Sequence, residues 1–589
     1  MHESNYWTKK SVGRRAVLRG SGLGIAGLAG AALIGCGSGE EAAPATAATA
    51  ATAATGATPA PAATVTEAQK RGGYFKGIVA QGYNPTNIDP YTTPAGSVYN
   101  VQGNSWYESL IDPDLTNVDW VRNYKLTPKL AEKWEQPDPA TYLFTVRPGV
   151  KFHNGSTLTA EDVAYSYGRW NELGANPNTA ALSRDVKSID AIDAKTFRAV
   201  AKKPDVDFIE NFNGNVRLGT GIMPRSAATA GVDFKKTVVG TGPFRLQRYQ
   251  ADGTALAVRF DEYWQAGRPY LDGIHLVMGA DDATISAAFI AREVDAVTRP
   301  DRLQADPIRK AVPDAEVVTW AGDNVYGLSL NVGRAPYSDV RVRRALHLAL
   351  DRPGIEALVS FGDGLISGPL IIERAGYTMT HAELLAQPGY RTPKDADIAE
   401  ALKLLDAAGY KGGFKAEFMS NPATAAATGA FAEAIQAQLK KTLSIDTRLV
   451  PVEGAAFTAR RNTSGDFDLV IELPAGVARP GVRVQSIYST NAAPKAAGWK
   501  DTELDSLIDA QRLEFDDKAR GAIFQKIERK LLDLAWFLGI SAGPYFGLRQ
   551  PWVRDYRDNR ARITALTNPS WVWLDLNKAP ANRKSQPAS

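Results

Sequence analysis

Residues Thr141 to Tyr167 read TYLFTVRPGVKFHNGSTLTAEDVAYSY. The first seven, Thr141 to Arg147, are rich in β-branched and aromatic side chains, and Pro148-Gly149 follows as a turn pair, so a strand closed by a tight turn is expected. Thr159-Ala160-Glu161-Asp162 then opens a helix, with a hydroxyl at the cap and acidic residues in the first turn. Val163, Tyr167 and Trp170 recur at helical spacing and form its apolar face. Strand, turn and helix within thirty residues point to a mixed α/β chain.

The pattern extends outward. From Arg71 onward, apolar runs of strand length alternate with amphipathic helices, and no fixed-period repeat is present. Val342, Leu346 and Ala349 form one helical stripe; Ile398, Leu402 and Leu405 form a second, with Gly409 as the expected C-cap. Phe431, Ile435 and Leu439 form a third, and Ile523, Ile527 and Leu531 a fourth. All are read as core packing, and Arg341, Arg343 and Arg344 as a solvated helix face.

The chain has 589 residues, 68 Lys+Arg against 64 Asp+Glu, and one cysteine. One cysteine excludes a disulfide scaffold or a Cys-rich zinc module. Residues 1–35 carry Lys9, Lys10, Arg14, Arg15 and Arg19 against Glu3 alone, which accounts for the whole formal charge of +4. A body without net charge gains nothing from counterion release, so nucleic acid is not an expected partner.

The basic segment precedes a weakly apolar run, Gly20 to Gly35, that is shorter than the roughly 20 residues a membrane span needs. An export signal is the reading. Gly13-Arg14-Arg15-Ala16-Val17-Leu18-Arg19 resembles a twin-arginine motif, with Arg14 and Arg15 as its pair. Leu33-Ile34-Gly35-Cys36 resembles a lipobox, which makes Cys36 the expected lipidated residue. Residues 42–64 hold 13 Ala, 6 Thr, 3 Pro and 1 Gly. With no charge and no large side chain to bury, 36–70 is expected to be a lipidated cysteine followed by a disordered tether.

Further motifs lie in order along the body. Leu130-Ala131-Glu132-Lys133-Trp134-Glu135 leads into the opening stretch. Val239-Gly240-Thr241-Gly242-Pro243-Phe244, Glu262-Tyr263-Trp264 with Pro269-Tyr270-Leu271-Asp272, and Arg292-Glu293-Val294-Asp295 follow. Next come Asn331, Pro336 to Ala345, and Ala349-Leu350-Asp351-Arg352. Leu404 to Tyr410, Gln436-Ala437-Gln438-Leu439 and Gly465-Asp466-Phe467-Asp468 close the series. Together, from about Gly72 to about Trp552, they strongly resemble the family 5 extracellular solute-binding proteins, the dipeptide, oligopeptide and nickel receptors of ABC importers.

The resemblance implies an α/β, two-lobed periplasmic-binding-protein-like fold of type II with an enlarged lobe I and a hinge between the lobes. Lobe I would run over 71–325 and return over 546–589, and 326–545 would be lobe II with the hinge crossings, near Leu328 to Val332 and Ser541 to Tyr545. The implied function is capture of a small ligand, a peptide or peptide-like solute, by hinge closure, and its delivery to ABC transporter permease subunits. The protein is expected to be an exported monomer, lipid-anchored outside the cytoplasm. A non-transport sensory or surface-interaction receptor of the same fold and a secreted hydrolase are the alternatives.

A search for chemistry among the residues finds no enzyme and no cofactor. The five histidines, at 2, 153, 275, 347 and 381, never pair at ligand spacing, so no metal site is expected. His153 reads as a hydrogen-bonded turn residue, and Gly240-Thr241-Gly242 as a turn. Neither a G-x-S-x-G nor a phosphate-cradling G-x-x-x-x-G-K-[ST] motif is present. In peptide-binding members of the resembled family, a W-x-x-D-like stretch after the Asp466-Phe467-Asp468 strand supplies an Asp for the ligand's amino terminus. Here Ile471 to Arg479 has neither Trp nor Asp, and Arg479 suggests an anionic group on the ligand instead. Tyr83, Trp106, Tyr326 and Trp499 are candidate cleft walls, because each lies near a loop or hinge rather than on a helix stripe. Asn84 and Asn104 are candidate hydrogen-bonding partners of a polar ligand.

Overall fold

The computed structural model describes residues 66–80, 87–92, 105–116, 124–172, 183, 185–214, 219–250, 253–299, 302–370, 376–421, 426–472, 480–490, 497–557 and 569–587. The expected export segment and the tether up to residue 65, including Arg14, Arg15 and Cys36, lie outside the described residues, as do Tyr83, Asn84, Asn104 and Arg479; residues 67–70, expected to be the disordered end of the tether, instead form a capped turn whose Glu67 accepts from the Tyr270 hydroxyl at 2.6 Å.

After a capped turn at Glu67–Lys70, the chain lays down β1 (Tyr74–Ala80), then β2 (Ala131–Asp138) and β3 (Thr141–Val146). Helix α1 (Ala160–Glu172) follows, with β4 (Val186–Ala191), β5 (Thr196–Ala201), β6 (Phe244–Tyr249), β7 (Thr254–Arg259) and β8 (Gly273–Ala280). Next come α2 (Asp282–Ile290), β9 (Ala296–Arg299), the long β10 (Glu316–Leu330), α3 (Val340–Ala349) and α4 (Arg352–Val359). The second half holds β11 (Leu365–Ile366), α5 (Asp395–Ala407), β12 (Lys415–Ser420), α6 (Ala426–Leu443), β13 (Asp446–Pro451) and β14 (Leu469–Glu472). Helices α7 (Pro480–Tyr488), α8 (Thr502–Leu513) and α9 (Asp517–Leu534) precede the second long strand, β15 (Phe537–Arg549).

The opening stretch folds as its pattern predicts. Along β3 burial alternates, with Tyr142, Phe144 and Val146 inward. Asp162 accepts from both the amide and the hydroxyl of Thr159 at 2.8 Å, tying off the start of α1. Val163, Tyr167 and Trp170 are fully buried in the same core as Phe197 and Phe212. Replacing a buried aromatic of this size by Ala costs about 3–5 kcal/mol.

Three main sheets carry the architecture: β2-β3-β5-β4, β1-β8-β7-β6, and β9-β15-β10-β14-β12-β13 with β11 against β15. The third joins the two halves of the body through β10 and β15, which pair antiparallel over most of their length. The apolar neighbours change along them. Val317, Phe546 and Leu548 belong with Phe289 and Val297 of the first half, whereas Tyr326, Leu328, Leu330, Leu538 and Ile540 belong to a core with α3, α5 and α6. Ladder irregularities fall between Ala321 and Val325 and between Tyr326 and Gly327, so Leu328 and Leu330, placed at the crossing from sequence, pack inside the second lobe.

Two helix readings need correction. Arg343 is not on a solvated face. It is buried, and its guanidinium donates to the carbonyls of Tyr337, Ser338 and Leu534 at 2.8–3.0 Å; the last of these is an acceptor left open at the end of α9. On α5 the inward face is Asp397, Ala401 and Leu405, and Leu402 points to solvent. Gly409 does end this helix, with φ +85° and the Tyr410 amide donating to Leu405. That left-handed conformation favours glycine.

Candidate functional site

The strand directions converge on the crossing between the lobes. In the second lobe β12, β13 and β14 are parallel, and β14 pairs with β10 so that Leu469 faces Leu330 and Glu472 faces Gly327. The carboxyl end of β14 is therefore the end nearest the crossing. In the first lobe β9 runs toward the crossing as well, from Ala296 opposite Arg549 to Arg299 opposite Phe546. Strand β1 lies beside it, with the Lys76 carbonyl accepting from Asp295 and Ile78 and Ala80 packed near Phe546. Ligands of α/β sheets sit in the crevice outside the carboxyl ends of parallel strands. Here the carboxyl ends of the parallel strands β1 and β14, and of β9, which is antiparallel to β15, point to one crossing, and residues 81–86 and 473–479 are the segments that follow β1 and β14.

Charged pairs join the lobes beside this crevice. The Val206 amide donates to the Arg512 carbonyl at 2.9 Å, and Arg512 Nη2 donates to Asp205 at 2.7 Å. Arg520 Nη2 donates to Asp207 at 2.8 Å and to Gln511 Oε1 at 2.7 Å. Gly481, one residue into α7, stands against the same carboxylate: a Cβ there would lie 2.1 Å from Asp207 Oδ2. Burial, with Asp207 adding to it, pushes the Asp205 carboxyl above its ordinary range. Beside the crossing strands, Arg302 forms a bidentate pair with Asp363.

At the carboxyl end of β14, Glu472 is buried and bound by both Arg461 Nε and Nη2, the latter at 2.6 Å. This carboxylate is neutralised within the chain. Arg483, on the first turns of α7, adds a buried guanidinium beyond the 473–479 segment. None of Asp205, Asp207, Arg461, Glu472, Arg512 or Arg520 was singled out from sequence. Their partners are far apart in the chain, by 307 and 313 residues for the two lobe-joining pairs.

The described sequence candidates occupy supporting positions. Trp106 is buried in the first lobe's core, and its carbonyl accepts from the Gly242 amide at 3.0 Å. A Cβ on Gly240 would sit 2.0 Å from that carbonyl oxygen, and one on Gly242 would sit 2.5 Å from that of Ser105. Thus Gly240-Thr241-Gly242 is a close backbone contact that pins the residues following Asn104, more than a turn. Next to it, buried Glu108 accepts from Tyr263 at 2.8 Å, Trp264 Nε1 at 2.9 Å and Thr241 at 3.2 Å. His153 bonds through its ring to the Gly242 carbonyl at 2.9 Å, and burial lowers its pKa to about 4. Tyr326 stacks on Phe431 with centroids 4.3 Å apart. Trp499 lies between Tyr488 and Trp536 and donates to the Leu330 carbonyl at 3.0 Å.

Among the described residues no group of three His, Cys, Asp or Glu could hold a metal ion, and no helix is long and apolar enough to cross a membrane.

Residues 125–493 match the family model of bacterial extracellular solute-binding proteins, family 5 middle. The chain belongs to this family. This family 5 protein is 26% identical over 503 residues to heme-binding protein A of Haemophilus influenzae, covering 80% of this chain and 88% of the relative. It is 24% identical over 506 residues to the dipeptide-binding protein of Escherichia coli, covering 80% and 90%. The solved structure of HbpA2 from Haemophilus parasuis superposes with a TM-score of 0.72 at 22% identity, over 85% of this chain and 99% of that one. The two-lobed fold of the family is thus the fold of this protein, and the family is one of extracellular solute-binding proteins.

Proposed function

We propose that this family 5 protein is an extracytoplasmic receptor that captures a peptide-like solute between its lobes and presents it to the permease of an ABC importer. The observation that carries the reading is the aim of β1, β9 and β14 at one crossing, beside ion pairs that hold the lobes together. A ligand that touches both lobes favours their contact by its differential affinity for the closed arrangement. The protein acts by binding, and no bond is made or broken.

In this reading the lobes are 71–325 with 546–589, and 326–545. Tyr83 and Asn84, in the segment after β1, Arg479, in the segment after β14, and Asn104 and Tyr326 are ligand contacts in this reading. Trp106 and Trp499 back these contacts from the cores. The Glu472–Arg461 pair supports a ligand carrying an anionic group, since the acidic end of β14 is already occupied and Arg479 and Arg483 bring positive charge to the same segment. Residues 1–35 serve as a twin-arginine-type export signal. Lipidated Cys36 and the tether that follows it, up to about residue 65, hold a monomeric body at the membrane surface, with no cofactor.

Mass spectrometry of the solute released when the purified full chain is denatured tests this reading. A single small solute at near one per chain, with a carboxylate or phosphate, is expected. A hydrolysed substrate, or none retained by protein purified under mild conditions, contradicts it.

A further inference from the structure

The sheet β1-β8-β7-β6 packs one face on the first lobe's core through Phe75, Ile274, Leu276, Ala255 and Ala257. Directly paired residues of neighbouring strands share a face. The register pairs Lys76 with His275, His275 with Leu256, and Leu256 with Arg248, so Lys76, His275 and Arg248 stand in one row on the other face. Leu256 within the row is buried.

The row is short of partners. Both ring nitrogens of His275 and the Nε of Arg248 are buried, and none has a hydrogen-bond partner among the described residues. Buried polar atoms are normally hydrogen-bonded, and the described residues supply these with no partner. Neither Lys76 nor Arg248 forms a side-chain ion pair among the described residues. Arg583, on the Ala581–Arg583 turn, adds a third positive charge near His275. Its own donors are committed, with Nε on Asp295 at 2.9 Å and Nη2 on the carbonyls of Arg292 and Glu293. Burial and these cations depress the His275 pKa, so at neutral pH the ring offers one N–H donor.

We propose that Lys76, His275 and Arg248 form a binding site for an oxyanion of the phosphate class, away from the ligand cleft. The arginine supplies a planar fork, the lysine a point charge and the imidazole one N–H, a donor set matched to a phosphoryl group. Lys76 lies four residues before the carboxyl end of β1, so the row stands back from the crossing. Free phosphate and the phosphate of an anionic lipid headgroup share this chemistry.

The test uses the full chain with Cys36→Ala and 13C-labelled histidine, titrated with inorganic phosphate; His275→Gln assigns the His275 resonance. The expected result is a saturable shift of that resonance with a raised His275 pKa, because a bound anion offsets the cations. Binding should weaken by at least about tenfold in Lys76→Gln and in Arg248→Gln, variants of half-exposed residues with unchanged Tm. Sedimentation with phosphatidylglycerol against phosphatidylcholine vesicles separates the sources: retention lost in the two variants assigns a headgroup, and a phosphate response without such retention assigns the free anion. No response of wild-type His275 to either, or an equal response in the variants, overturns the proposal.

Discussion

Asp207 and Arg520, 313 residues apart in the chain, meet at 2.8 Å in a buried ion pair that joins the lobes. Both charges are desolvated, so their mutual attraction has to offset the cost of leaving water. That cost makes the pair sensitive to the loss of either partner. Asp205 and Arg512 repeat the contact nearby.

Removing one partner leaves the other charge buried alone, which costs about 3–5 kcal/mol. Arg520→Met is therefore expected to separate the lobes or lower Tm, and Asp207→Asn combined with Arg520→Met to recover much of the loss. Small-angle scattering and thermal melts of the single and double variants measure this. Equal behaviour of single and double variants contradicts it.

Asp295 and Arg583 form a fully buried pair, with Trp552 Nε1 on the same carboxylate oxygen at 2.8 Å. The C-terminal arm is thus fastened into the first lobe. Arg583→Met should lower stability in denaturant by several kcal/mol, within the same range for a broken buried pair. A loss under about 1 kcal/mol, the value of an exposed bridge, would refute the assignment.

Glu528 is buried, and burial raises its carboxyl to about 7 despite the Met379 amide donating to it at 2.7 Å. The folded state therefore holds a proton that the unfolded state has lost, and stability should fall as pH rises from about 4.5 through about 7. The span is on the order of 3 kcal/mol. Glu528→Gln should flatten that part of the stability–pH profile and raise Tm at pH 8. A profile unchanged by the substitution would argue against a protonated carboxyl.

Gly240→Ala forces a methyl into the Trp106 carbonyl and the Tyr107 ring. Because the obstacle at 2.0 Å is backbone, one of the two segments must move. A lower Tm and weaker solute binding are expected together, and a variant with wild-type values of both would show that this contact does not position the cleft.

Much of the architecture is legible locally. The strand at Thr141–Val146, helix α1 and the glycine stop at Gly409 follow from alternation, capping and φ preferences within a few residues. The lobe-joining pairs are not. Nothing near Asp207 marks Arg520 as its partner, because only the return of the chain through β15 sets the second lobe against the first. Arg343 shows the same limit on a smaller scale: its helix face looks solvated until the end of α9, some 190 residues later, covers it and brings the Leu534 carbonyl to its Nε. Trp499 is expected near a loop or hinge, yet its ring is buried in a core and held by Tyr488, Trp536 and the Leu330 carbonyl, partners that periodicity cannot name.

Capture of a solute by closure of the two lobes should change the size of the particle. The radius of gyration of the protein freed of solute by denaturation and refolding, measured before and after the released solute is added back, tests this. A larger value for the stripped protein and a contraction on addition, reduced in Arg520→Met, are expected. An unchanged radius, with the solute bound, would contradict it.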